Sequence, residues 1–239
     1  MKPLALVSGA SRGIGRMIAQ HLAQNGYDII AVARDEQKLR ALAVELREAS
    51  DATVTCISAD LDQFGVAAKK IKNVLEEFGR LDVLVHSAGI FRFGTGQMEM
   101  QDLQALLNTN VMAVHNINQI ALPLLRMSPN PHLFAIASIT GVEPFAMVGG
   151  YASSKHALVG YIRSIAQEES ANGVRVTAIC PDVVDTDMAA ASGMPKSDMI
   201  RPDDIAKTIE FVMSLSPAVT LDQITIGCRP TAGSVRDAA

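Results

Sequence analysis

A chain of 239 residues with a net charge of −4, no lysine or arginine block and no tryptophan gives phosphate backbones little to hold, which argues against nucleic-acid binding. Charged residues make up 19% and hydrophobic ones 49%, whereas a typical chain is about 25% charged. Much apolar surface must therefore be buried in one core or between subunits, and a homo-oligomer is expected.

No stretch approaches the roughly 18 unbroken apolar residues of a membrane span, and the opening run is too short for a signal-peptide core. A cytoplasmic protein without membrane contact is expected. Cys56, Cys180 and Cys228 each stand alone in apolar, β-branched runs with no CxxC pair, so we read them as buried core thiols and expect no metal site.

In chain order, short apolar runs at 4–7, 29–32, 54–57, 83–86, 133–137, 174–180 and 223–227 alternate with stretches of helical period. Those helical stretches are 14–24, 36–49, 66–78, 100–125, 151–171 and 203–214. The runs are apolar throughout instead of alternating, as strands covered on both faces must be. The pattern predicts one α/β domain over 1–239, with a Rossmann-type doubly wound parallel sheet of about seven strands between helices. The Met-Ala-Ser-Gly patch at 188–194 reads as a mobile loop, part of a substrate loop at about 187–201.

The first βα turn reads Ser8-Gly9-Ala10-Ser11-Arg12-Gly13-Ile14-Gly15. Glycines there allow a tight turn and let a pyrophosphate reach the free amides of the following helix. After the second strand, where the ribose 2′ position of a dinucleotide arrives, the chain reads Ala33-Arg34-Asp35. Arg34, with Arg12 nearby, suits a 2′-phosphate, so we expect NADP (NADPH) over NAD. Asp35 could instead hold the ribose of NAD, although a helix N-cap is the preferred reading of it.

Tyr151 and Lys155 lie one helical turn apart, so an ammonium stands beside a phenol whose free pKa is about 10. That charge, joined by an oxidised nicotinamide, is expected to lower the phenol's pKa and make Tyr151 a usable acid/base. Ser138 ends the fifth strand, at the carboxyl edge where open α/β sheets bind ligands, and its hydroxyl could hold a substrate carbonyl.

Together these residues resemble the short-chain dehydrogenase/reductase family, in order from Val7 to about Met188. By that resemblance Gly9, Ser11, Arg12, Gly13, Ile14 and Gly15 bind pyrophosphate, Asp60 with Leu61 holds the adenine, and Ala88 and Gly89 line the adenosine. Asn110, Ser138, Tyr151 and Lys155 would form a catalytic tetrad. Asn110 would break its helix locally and hold a water relaying protons to Lys155, which also grips the nicotinamide ribose. Pro181, Val184 and Thr186 would hold the carboxamide and phosphates.

Three departures stand out from the resemblance: Pro181-Asp182 for Pro-Gly, His86-Ser87 for Asn-Asn, and an end at 228–239 without the family's Asp-Gly-Gly. The resemblance implies hydride transfer between NADPH and a carbonyl or alcohol. Residues 142–149, Phe91, Phe93 and the 188–199 loop are expected to wall a pocket for an uncharged or hydrophobic ketone, aldehyde or 3-oxoacyl compound. Arg92, Glu143 and Lys196 read as surface charges. One alternative is a non-catalytic NADP(H)-binding regulator or scaffold. Sugar-nucleotide epimerisation is the other, but it calls for a C-terminal domain that this length leaves no room for.

Overall fold

The computed structural model describes residues 2–229. The 230–239 stretch, where the family's Asp-Gly-Gly ending was sought, lies outside the described residues. Seven strands, β1 (Leu4–Ser8), β2 (Asp28–Ala33), β3 (Val54–Ser58), β4 (Val83–His86), β5 (His132–Ile136), β6 (Arg175–Pro181) and β7 (Gln223–Ile226), form one sheet in the order 3-2-1-4-5-6-7. Every pairing is parallel, as a doubly wound Rossmann-type fold requires.

The continuous apolar runs are explained by two cores, one on each face of the sheet. On β1, Leu4 and Leu6 point into a cluster containing Ile71, Ile117 and Ile162, from α3 (Phe64–Phe78), α5 (Ala113–Leu125) and α6 (Gly149–Glu169). Ala5 and Val7 point the other way, onto Ile18, Leu42 and Ile209 of α1 (Gly13–Gln24), α2 (Glu36–Ala49) and α7 (Pro202–Ser214). Successive side chains of a strand face opposite sides, so both parities must be apolar here.

The expected helix 100–125 is three segments: α4 (Met100–Leu107), a π-helical turn Asn108–Met112, and α5. The helix expected from 151 begins at Gly149, which places Tyr151 in its first turn. The 187–201 segment carries two 3₁₀ turns, Asp187–Ser192 and Lys196–Asp198. Val184 and Ile200 pair across its base. Cys180 is fully buried, but Cys56 and Cys228 are only half-buried. Cys56 sits on β3, a strand at the sheet's edge with a neighbour on one side only, so nothing covers it completely.

Candidate active site

The chain order reverses between β1 and β4, and the crevice beyond their carboxyl ends has a volume of about 690 Å³. The glycine loop forms one wall with Gly9, Ser11, Arg12, Gly13 and Ile14. Arg34, Asp60, Leu61, Ala88, Gly89 and Thr186 line the rest, each just past a strand end. The space falls within the roughly 300–1,000 Å³ of cofactor pockets.

The loop's glycines are required by contact. Gly9 has φ +72° and a Cβ there would lie 2.7 Å from the Ala88 nitrogen, while at Gly15 a Cβ would meet the Gly9 carbonyl oxygen at 2.5 Å. Gly15 therefore packs beneath the loop instead of lining the crevice. Arg12, at the N-cap of α1, supplies no side-chain cap, so the first-turn amides are free for an anion. Ser8 has a role that sequence reasoning missed: its hydroxyl accepts from the Ser87 and Ala88 amides at 3.2 and 3.3 Å, tying β1 to the turn after β4. Its place at a strand end within the glycine loop was the available signal.

Asp35 caps α2, accepting from the Lys38 amide at 3.0 Å, in agreement with the preferred reading. Arg34 lines the crevice. Arg12 also lines it, but its guanidinium bonds Asp187 at 3.0 Å across the opening. Asp62, Thr109 and Asp185 also border the crevice and were not singled out from sequence. Pro181 ends β6. Val184 and Thr186 follow it, with the Thr186 hydroxyl donating to the Val184 carbonyl at 3.2 Å. Neither Pro181 nor Val184 lines the crevice with Thr186.

None of the four tetrad candidates is among the residues lining the crevice; they cluster behind Gly89, which does line it. Asn110, in the π-helical turn, is buried; its Oδ1 accepts from the Ile90 amide at 2.9 Å and its Nδ2 donates to the Ile90 carbonyl at 3.1 Å and to Ser154 Oγ at 3.0 Å. Ser154 donates in turn to the Tyr151 carbonyl at 2.7 Å. Ser154 was not foreseen, although it directly precedes Lys155. A Cβ on Gly89 would lie 3.2 Å from Asn110 Oδ1 and 3.7 Å from Lys155 Nζ, so the crevice floor touches both.

Lys155 Nζ donates to the Ile136 carbonyl at 2.9 Å and lies 5.7 Å from the Tyr151 ring centroid. The Ser138 hydroxyl lies near enough to the Tyr151 phenol to favour its ionised form, and it also caps the short 3₁₀ turn Ile139–Gly141. Burial pushes the phenol up to about 12, outweighing the Ser138 hydroxyl that pulls it down. The expected lowering, by the Lys155 ammonium and an oxidised nicotinamide together, concerns the cofactor-bound site; in the cofactor-free protein burial is the larger effect. The same burial pushes Lys155 down to about 8, so its charge is itself disfavoured where it would act.

His86, standing where asparagine was expected, is buried at the end of β4 and bonds Asn118 Oδ1 through Nε2 at 2.7 Å. Burial pushes it down to about 4, so it is neutral near pH 7. The imidazole thus makes an internal contact between β4 and α5. Phe91 lies edge-on to Tyr151 with ring centroids 5.0 Å apart, and Phe93 is edge-on to Phe91 at 4.7 Å.

A parallel sheet with a glycine loop at its switch point, and a tyrosine, lysine, serine and asparagine clustered behind the crevice floor, define a nucleotide-dependent oxidoreductase class. The short chain dehydrogenase family model matches residues 3–196, and the chain belongs to that family. It is 32% identical over 226 residues to the 3-oxoacyl-acyl-carrier-protein reductase FabG of Staphylococcus aureus, covering 90% of this chain and 92% of that protein. An alcohol dehydrogenase from the archaeon Thermococcus sibiricus, complexed with 5-hydroxy-NADP, superposes with TM-score 0.86 at 26% identity, over 96% of this chain and 99% of that one. A short chain dehydrogenase from Mycobacterium paratuberculosis bound to NAD superposes with TM-score 0.83 at 25% identity, over 94% and 96% of the two chains.

Proposed function

We propose that the protein is an NADP-dependent carbonyl reductase or alcohol dehydrogenase acting on small to medium, uncharged or hydrophobic compounds. The observation that carries this reading is the chain of neighbours behind the crevice: Asn110 and Lys155 beside Gly89, Tyr151 beside Lys155, and Ser138 beside Tyr151. The glycine cradle fits a dinucleotide, and Arg12 and Arg34 favour the phosphorylated form, as does the NADP analogue held by the archaeal neighbour.

When bound, the nicotinamide supplies or accepts the hydride. Ser138 holds the substrate oxygen, and Tyr151 gives it a proton in reduction or removes one in oxidation. Lys155 grips the nicotinamide ribose and, with Asn110 and a water, resupplies the phenol's proton. The same reading takes the chain as one cytoplasmic domain that forms a homo-oligomer, with exposed Val66, Met112 and Phe211 as apolar surface to cover.

NADPH and NADH loss over a panel of ketones, aldehydes, diketones and 3-oxoacyl thioesters tests cofactor, chemistry and substrate together. Tyr151→Phe is expected to keep NADPH binding and to lose turnover by at least about a hundredfold. Undiminished turnover would remove Tyr151 from its role, and wild-type binding without any turnover would favour a regulator.

A further inference from the structure

We propose that Phe91 is a specificity-determining and positioning residue that selects an uncharged ketone or alcohol with an aryl group next to the reacting carbon. The inference deepens the hydride-transfer reading above and rests on it.

Phe91 follows Ile90, whose amide and carbonyl are both clamped by Asn110 at 2.9 and 3.1 Å. The ring is therefore delivered to Tyr151 by the turn that organises the catalytic end. From the phenol outward the surface is apolar: Phe91 at 5.0 Å and 72° to Tyr151, then Phe93 at 4.7 Å and 85° to Phe91. Phe93 is 55% exposed. The Gly94 amide donates to the Met147 carbonyl at 2.7 Å, which brings a side chain that is 71% exposed alongside. Aromatic pairs favour such edge-to-face contacts, so a flat ring leaning on Phe91 and Phe93 would extend a stack already begun.

Charge points the same way. Arg92 faces Asp102 at 3.5 Å and Lys196 faces Asp185 at 3.2 Å. A substrate held by its own phosphate or carboxylate would have to displace one of these acids, whereas a neutral one displaces none. Phe91 also packs edge-on against the buried Tyr151 ring, and its removal would admit water there.

The test compares kcat/KM with NADPH for a phenyl alkyl ketone and a short dialkyl ketone. Wild type is expected to favour the aryl ketone. In Phe91→Ala the aryl-to-dialkyl ratio should fall at least about tenfold, mainly through KM, as loss of a hydrophobic contact does. Phe91→Leu keeps bulk without the ring and should lose most of the preference as well. A second readout is independent of turnover: ultraviolet titration of the cofactor-free protein, with Tyr151→Phe as blank, should show the phenol's midpoint lower in Phe91→Ala. A wild-type preference for the dialkyl ketone, or an unchanged ratio in both variants, overturns the selection. An unmoved midpoint overturns the positioning role. If wild type reduces neither ketone but turns over other carbonyl compounds, only the selection falls; if it turns over none, the hydride-transfer reading falls too.

Discussion

Tyr151 and Lys155 are driven in opposite directions by one cause. Burial favours the neutral form of each, lifting the phenol to about 12 and lowering the amine to about 8. Lys155 has a folded pKa below its ordinary 10.5, so the unfolded chain binds more protons above pH 8 and stability rises with pH. Above pH 9 Cys180, itself raised to about 11, opposes the rise, and above pH 10 Tyr151 does the same. Between pH 8 and 9, urea unfolding should therefore show wild type gaining about 1 kcal/mol relative to Lys155→Met. A parallel pH course in the two proteins would contradict the buried amine. At the crevice mouth, Arg12 is held by Asp187, and both side chains are largely exposed. Exposed pairs are worth little, so Asp187→Asn should raise the preference for NADPH over NADH by about two- to fivefold in fluorescence titrations. No change would separate Arg12 from the 2′-phosphate.

Among the elements, two short irregular turns aim the reactive groups. The π-helical turn presents Asn110 to Ile90, and the 3₁₀ turn after β5 holds Ser138 against Tyr151. That second turn lies hard on α6, because a Cβ on Gly141 would sit 2.8 Å from the Lys155 carbonyl oxygen. Backbone cannot swing aside as a side-chain tip can, so Gly141→Ala should push Ser138 away from the phenol. We expect kcat to fall at least about tenfold while NADPH affinity holds, with about 1–3 kcal/mol of stability lost to overpacking. Full activity in this variant would show that the turn yields.

The strands, the glycine loop and the Tyr151–Lys155 pair were legible in the sequence because each is a local pattern: two-sided burial, a cluster of glycines, one helical turn. The π-helical turn was hidden from the residues alone because its cause, the clamp between Asn110 and Ile90, spans 20 positions. The Arg12–Asp187 contact spans 175. The left-handed Met147, φ 65°, was likewise invisible in a residue type that rarely adopts it. Spacing reveals the ammonium near the phenol but not the burial of both groups, which in the cofactor-free protein raises the one and lowers the other.

Across the whole molecule, buried imidazoles add to the response to acid of carboxylates such as Glu169, whose pKa its Arg126 hydrogen bond lowers. His86 and His132 are both pushed down to about 4 by burial, against an ordinary 6.5. The unfolded chain then binds more protons between those values, so stability present near pH 7 is lost as pH falls from 6.5 through 4. Each contributes roughly 2–3 kcal/mol to that loss. His86→Asn should flatten the decline measured by thermal unfolding between pH 6.5 and 4.5, and an unaltered decline would mean that His86 is not the buried neutral group described.

The arrangement of the sheet has a further consequence. Every strand runs the same way, and, His132 at the start of β5 apart, the packed interiors of β1, β4 and β5 contribute apolar bulk until Ser8, His86 and, two residues past β5, Ser138. Reactivity is thereby confined to a rim and foldedness to the slab beneath it, two compartments that share few side chains. Redesign of what the rim handles can proceed by exchanging loop residues such as Phe93 or Met188 while the slab is left alone, and the reverse holds for hardening the slab against heat.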